Sequence, residues 1–196
     1  MSRFLIALVC AYLMGSISPA ILISKALGKD IRLCGSGNAG TTNMLRTYGK
    51  TAAAATLLVD ALKGAAAVAL GRFLGGEQCA CWCLAFAMIG HIFPIYFGFK
   101  GGKGVAAAIG ALLVLSPSIA GVMLVIALSI MAATRMVSAG SVIAAAALPI
   151  TAWFLKPEFL PVAAAMAALV IFKHRSNIGR ILRGEESKLD FSKFKK

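Results

Sequence analysis

Seven apolar runs joined by short polar links constrain this chain more than any other feature. They cover residues 4–24, 51–70, 78–97, 105–115, 119–133, 137–155 and 159–172. Of the 196 residues, 60% are hydrophobic and 14% charged, against roughly 45–50% and 25% in a soluble domain. One small core has no room for that much apolar surface, so lipid is the expected solvent. A span takes about 20 residues, which leaves length for six or seven crossings and no separate soluble domain. The expected fold is all-α: a polytopic helical bundle forming one integral membrane domain over residues 1–196. Runs shorter than a full span fit by tilt, local thinning of the bilayer or burial inside the bundle. The run 105–115 meets Ser116-Pro117, and one kinked helix over 105–133 is the alternative to two, because membrane helices tolerate proline.

The net charge of +13 would suggest nucleic acid in a soluble protein. Aromatic and basic residues are not interleaved here as a base-stacking surface requires, which argues against that partner. The charges follow the links instead. With seven spans and the N-terminus outside, Lys25, Lys29, Arg32, Arg46, Lys50, Lys100, Lys103, Arg135 and the eight basic residues from Lys173 to Lys196 all face the cytoplasm. Only Arg3, Arg72 and Lys156 stay outside, while Lys63 falls within a run. This is the positive-inside pattern; six spans would put the basic tail opposite the first two basic loops. The expected count is therefore seven transmembrane helices, with the C-terminus cytoplasmic. Ser2-Arg3 before residues 4–14 looks like the start of a signal peptide. No small-residue cleavage site follows cleanly, so the segment reads as the first span. Of the five cysteines, Cys10, Cys34, Cys79, Cys81 and Cys83, the last three lie inside an apolar run and read as buried thiols and not as a metal or redox site.

In this orientation the segments richest in Gly, Ser, Asn, Lys and Arg, residues 35–50, 98–104 and 173–186, all fall on the cytoplasmic side. A site drawing on all three would be assembled at one membrane face. The first reads CGSGNAGTTNMLRTYGK from Cys34. Its glycines, including Gly37, let the backbone approach a ligand. Ser36, Asn38, Thr41, Thr42 and Asn43 supply neutral donors, and Arg46 a planar cationic fork. Together they describe an oxyanion or phosphate cradle, although glycine- and asparagine-rich loops are also ordinary turns. The second places Gly101-Gly102-Lys103-Gly104 just before a helix start, with N–H groups and dipole favouring an anion. It lacks the Ser or Thr and the spacing of a nucleotide P-loop, and the plain alternative is a tight turn with snorkelling lysines. In the third, His174, Asn177 and Ile178 share one face if the helix continues.

Inside the runs, Asp60 and Lys63 stand three apart. They either neutralise one another or brace the site from below. Gly90, His91 and Pro94 mark a break in the third run, as expected of a helix bent around a pocket.

SGNAGTTN with Arg46, FGFKGGKG and HRSNIGRILRGEE, in this order and over the whole chain, resemble the three cytoplasmic motifs of the bacterial membrane-bound acyl-phosphate:glycerol-3-phosphate acyltransferases. The resemblance implies transfer of a fatty acyl group from acyl phosphate to glycerol 3-phosphate, giving lysophosphatidic acid and phosphate at the inner membrane in phospholipid synthesis. It implies membrane lipid and the peripheral enzyme that makes acyl phosphate as partners, and no cofactor or metal. Carried over by position, the functional residues are Ser36, Asn38 and Arg46, then Lys103 with Gly101, Gly102 and Gly104. His174, Asn177, Glu185 and Ser141 complete the set, with Gly37 and Asn43 as further substrate contacts.

An acyl phosphate is a mixed anhydride with a good leaving group, which lowers the demand for a covalent nucleophile or strong base. With two histidines and Asp30, Asp60 and Asp190 as the aspartates, a Ser-His-Asp triad is hard to build. No His-x4-Asp pair exists, since Tyr96 follows His91 by five residues and Gly179 follows His174. Catalysis would rest on positioning and electrostatics from Ser36, Arg46 and Lys103, with His174 or a substrate phosphate taking the proton. A transporter with a phosphate-binding gate is the competing class, but it expects a midplane site and often inverted repeats. Three scattered aspartates also fail the metal cluster of a CDP-alcohol phosphotransferase.

Overall fold

The structure, a computed structural model, describes residues 2–189. Met1, Asp190 and the last basic residues, Lys193, Lys195 and Lys196, lie outside them. Every described element is helical: α1 Ser2–Ser16, α2 Pro19–Ala26, α3 Thr41–Ile92, α4 Val105–Leu115, α5 Pro117–Thr134, α6 Val137–Leu155, α7 Leu160–Lys173 and α8 Arg175–Leu182, with three short 3-10 turns between them. Each of the seven apolar runs is helical through most of its length. Four segments are long and apolar enough to cross a membrane: Ser2–Ala26, Thr41–Phe97, Pro117–Thr134 and Val137–Leu155. Pro157–Lys173 with Arg175–Leu182, bent by 58°, makes a fifth, and Val105–Leu115 is a shorter apolar helix.

The described residues fall into two compact units, divided after Pro117. In the first, α3 is three arms. Gly49, at φ 85°, separates a short arm, 41–48, from the second, 50–74, and Gly76, at φ 72°, opens the third, 77–92. These left-handed conformations suit glycine alone among common residues. Gly71 lies against Cys83 and Gly75 against Cys79, so the second and third arms form a hairpin. Backbones touch backbones elsewhere too. A Cβ on Gly15 would run into the Ala87 carbonyl, one on Gly90 into Tyr12, one on Gly64 into Ala107 and one on Gly110 into Ala61. These contacts seat α1 on the third arm and α4 on the second, the small-residue packing that membrane helices use in place of a hydrophobic driving force. The buried set around Cys79 and Cys83 is alanine: Ala7, Ala11, Ala67 and Ala87. Large apolar side chains point outward, Leu58, Leu62 and Phe73 among them.

In the second unit α6 packs against α7, and Gly140 of α6 abuts the Ala127 carbonyl of α5. Only Ile119, Ala120 and Met123 of α5 are buried.

Residues 105–115 and 119–133 lie in two helices and not in the single kinked helix that was the alternative: Ser116 is extended at φ −156°, so α4 ends at Leu115 and α5 begins at Pro117. One expectation is corrected here. The polar segment 35–50 is not all loop, because 41–48 is helical. Gly40 as N-cap and the good helix formers Met44 and Leu45 account for that arm.

Candidate active site

The first polar loop is built on Asn43. Its Oδ1 accepts the Ser36 N–H at 3.0 Å, and its Nδ2 lies 2.9 Å from the Cys34 carbonyl, 3.0 Å from that of Asn38 and 3.3 Å from that of Ile31. With 1% of its surface exposed, Asn43 has its hydrogen-bonding capacity used by the protein. These bonds shape the loop. Gly35 at φ 54° and Gly37 at φ 70° complete the bend, leaving Ser36 exposed and Asn38 half-buried. Arg46 is exposed on the short arm, one helical turn beyond Thr42. The buried Thr41 hydroxyl has no hydrogen-bond partner among the described residues. A buried polar atom left so is costly unless something else meets it.

The glycine loop hangs from the end of the third arm. Gly101 N–H donates to the Ile92 carbonyl at 3.2 Å and Gly102 N–H to that of His91 at 3.1 Å. Gly102 has no space for a side chain: a Cβ would meet His91 Nε2, and the Ala39 carbonyl at 2.6 Å. Gly104 caps α4 in the left-handed region, at φ 85°, and gives no side-chain cap to the helix N-terminus. Lys103, half-buried, therefore stands beside helix N–H groups whose dipole favours an anion.

Arg32 joins the two loops. Its guanidinium holds Asp30 through Nε and Nη2 at 3.0 and 2.7 Å, and donates to the Phe97 carbonyl at 2.7 Å. The Arg32 guanidinium beside Asp30 keeps that carboxyl below the usual carboxylate range. Asp30 two residues before Arg32, at a 3-10 turn whose N-cap is Asp30, is the local signal for this clamp.

Beneath the loop, Asp60, Lys63 and His91 meet. Lys63 Nζ lies 2.7 Å from Asp60 Oδ1, and His91 Nδ1 lies 3.1 Å from the same oxygen. The pair in the second arm was evident from spacing, whereas its third member waited on the hairpin.

The polar residues of the second unit converge on Glu186. Ser138 Oγ and Asn177 Nδ2 donate to Oε1, each at 2.7 Å, and Arg180 Nε to Oε2 at 2.7 Å. Burial raises the Glu186 pKa, but these donors outweigh it and hold the carboxyl below its ordinary value. The expected acidic contact, Glu185, instead pairs with Arg183 at the surface, 2.8 Å away. The left-handed Gly184, at φ 73°, turns the chain so that the next two side chains face opposite ways. Ser141 Oγ donates within its own helix to the Val137 carbonyl, and Ser138 is the serine that reaches Glu186. His174 and Asn177 do not share a continuous helix, because the chain bends by 58° at the junction of α7 and α8. Both are buried. His174 Nδ1 lies 2.8 Å from the Val170 carbonyl, a group that only accepts, so Nδ1 carries a proton. In the neutral ring Nε2 is then the basic nitrogen.

These motifs have close counterparts. A family model described as glycerol-3-phosphate acyltransferase matches residues 5–184. The glycerol-3-phosphate acyltransferase of Neisseria meningitidis serogroup B is 46% identical, over 95% of this chain and 98% of that one. The Geobacter sulfurreducens protein of the same description is 45% identical, over 94% and 96%. This chain belongs to the glycerol-3-phosphate acyltransferase family. Two crystal structures of a family member, PlsY (YgiH), an integral membrane glycerol 3-phosphate acyltransferase, share 34% identity with it. The glycerol 3-phosphate form superposes with a TM-score of 0.92 over 97% of this chain and 98% of that one. The lysophosphatidic acid form gives 0.88 over 95% of each. Like those family members, this chain is an integral membrane protein.

The depressed pKa of Glu186 sets a pH dependence. Its stabilisation is complete above the ordinary carboxylate value and is lost as pH falls through the lower folded value. Thermal unfolding in detergent, followed from neutral pH to about pH 3, should show lower melting temperatures at the acid end. Glu186→Gln should lower stability at neutral pH and flatten that acid slope. An unchanged slope in the variant would assign the acid sensitivity to another carboxylate.

Proposed function

We infer that this acyltransferase moves a fatty acyl group from acyl phosphate to a hydroxyl of glycerol 3-phosphate, releasing lysophosphatidic acid and inorganic phosphate. The observation that carries this reading is the glycine loop, fixed on the His91 and Ile92 carbonyls and tied by Arg32 to the Ser36 loop. It presents Lys103 at the N-terminus of α4, which Gly104 leaves without a side-chain cap. The family and its glycerol 3-phosphate and lysophosphatidic acid forms support acceptor and product.

In the reaction the acceptor oxygen forms a bond to the acyl carbon, and the bond from that carbon to the phosphate oxygen breaks. Ser36, Arg46 and Lys103 orient the reactants and stabilise charge on the carbonyl and departing phosphate. Gly37, Asn38, Gly101, Gly102 and Gly104 bring backbone close to substrate oxygens, and the unpartnered Thr41 hydroxyl fits the same role. In the second unit Ser141 and Asn177 bind substrate. His174 Nε2 takes the hydroxyl proton unless a substrate phosphate does so. The family match over residues 5–184 spans both units, in keeping with one acyltransferase domain over residues 1–196. We propose seven spans with the N-terminus outside. The site and C-terminus then face the cytoplasm at the inner membrane, where a peripheral enzyme making acyl phosphate would supply the donor.

Three measurements bear on this. Purified protein given glycerol 3-phosphate should turn over with acyl phosphate, and not with acyl-CoA or acyl carrier protein; comparable rates with acyl-CoA would refute the donor. Lys103→Ala should lose a charge-assisted contact of about 1.5–3 kcal/mol, or roughly 10- to 100-fold in kcat/KM. Lys103→Arg should recover only part of that, since a planar fork does not replace a compact ammonium. Near wild-type efficiency in Lys103→Ala would reduce the loop to a turn. Reporters fused after Lys196 should be active in the cytoplasm, and a tail active only in the periplasm sinks the seven-span orientation.

A further inference from the structure

Asp60, Lys63 and His91 are 1%, 7% and 4% exposed, and none belongs to the three loops assigned to the reaction. Ionisable groups at such depth cost several kcal/mol each to desolvate, and an apolar replacement often packs as well. Their geometry points to a use. Lys63 Nζ donates to the Ile17 carbonyl at the break between α1 and α2, and stands 3.0 Å from His91 Nδ1. That nitrogen either donates to Asp60 or accepts from Lys63, and both arrangements hold the ring in one place. The far side of the ring, Nε2, faces Gly102 so closely that no Cβ fits between them. The main chain of His91 and the next residue carries the loop itself, through the Gly101 and Gly102 N–H groups. Side chain and backbone of one residue thus connect the ion pair to the loop that bears Lys103.

We propose that Asp60, Lys63 and His91 are positioning residues for the acyl transfer: a charged brace fixes residues 91 and 92, and so sets where the glycine loop presents Lys103. The inference rests on the reaction proposed above. It differs from mutual neutralisation alone, in which the three groups would only offset one another's burial and the loop would be indifferent to them.

The test is a double-mutant comparison on the full chain in nanodiscs. Asp60→Asn with Lys63→Gln removes both charges while keeping shape and a hydrogen bond. His91→Asn leaves the ion pair in place and removes the ring tip facing Gly102. Each set should insert and lower kcat/KM at least about tenfold. In the Lys103→Ala background neither should cost more than about twofold further, because the brace acts through that lysine. Amide hydrogen exchange in the peptide spanning residues 98–104 should quicken in both variants. Efficiency near wild type, losses that multiply with Lys103→Ala, or unchanged exchange would each overturn the proposal. If the charge-free pair does not insert, His91→Asn carries the same comparison. A wild-type protein without acyl transfer would sink the reaction instead, and loop exchange would still decide the brace.

Discussion

A backbone in hydrocarbon has no water to bond, so every break in a membrane helix must find its partners inside the protein. The first unit meets that demand at several interruptions with a polar side chain from another part of the chain. Lys63 reaches the Ile17 carbonyl where α1 gives way to α2. Tyr12 donates its hydroxyl to the Phe93 carbonyl where α3 ends. Arg72 reaches the Val114 and Leu115 carbonyls where α4 ends, and holds Glu77 with the rest of its fork. Gly101 and Gly102 take up the carbonyls of the final turn of α3. Lys63, Tyr12 and Arg72 are thereby committed to helix ends.

The same constraint explains why a loop so rich in glycine holds a shape. Glycines lose more backbone entropy on ordering than any other residue. The hydrogen bonds of Asn43, the Asp30–Arg32 fork and the seat on residues 91 and 92 offset that loss. A loop held by such bonds needs less binding energy to order than a free one. This suits a donor that is already activated, for which placement counts for more than a strong base.

Much of this was legible in the chain. Hydropathy located the helices because lipid imposes a simple rule over long stretches, and the polar loops stood out against them by composition. What escaped notice depended on contacts between distant segments or on single turns. Asn43 looked like one donor among five, and only the folded loop reveals that its amide is spent on Ile31, Cys34 and Asn38. Glu185 and Glu186 are indistinguishable in composition, and the left-handed turn at Gly184 decides which one faces inward. His91 joined the Asp60–Lys63 pair through a hairpin that alternating apolar residues do not encode. The short arm 41–48 was hidden by glycine, threonine and asparagine, which read as loop until Gly40 takes its place as N-cap.

The interior built from glycine and alanine makes the chain lopsided as an evolutionary object. Where Gly15, Gly64, Gly90 and Gly110 let one backbone lie on another, no larger residue can be admitted without separating two helices. Leu58, Leu62 and Phe73 face outward, and there one apolar residue exchanges for another at little consequence. Substitution is sterically cheaper on the outward faces than on the inner ones, where a Cβ already meets backbone. A thicker or more fluid membrane could then be accommodated by rewriting the outside alone.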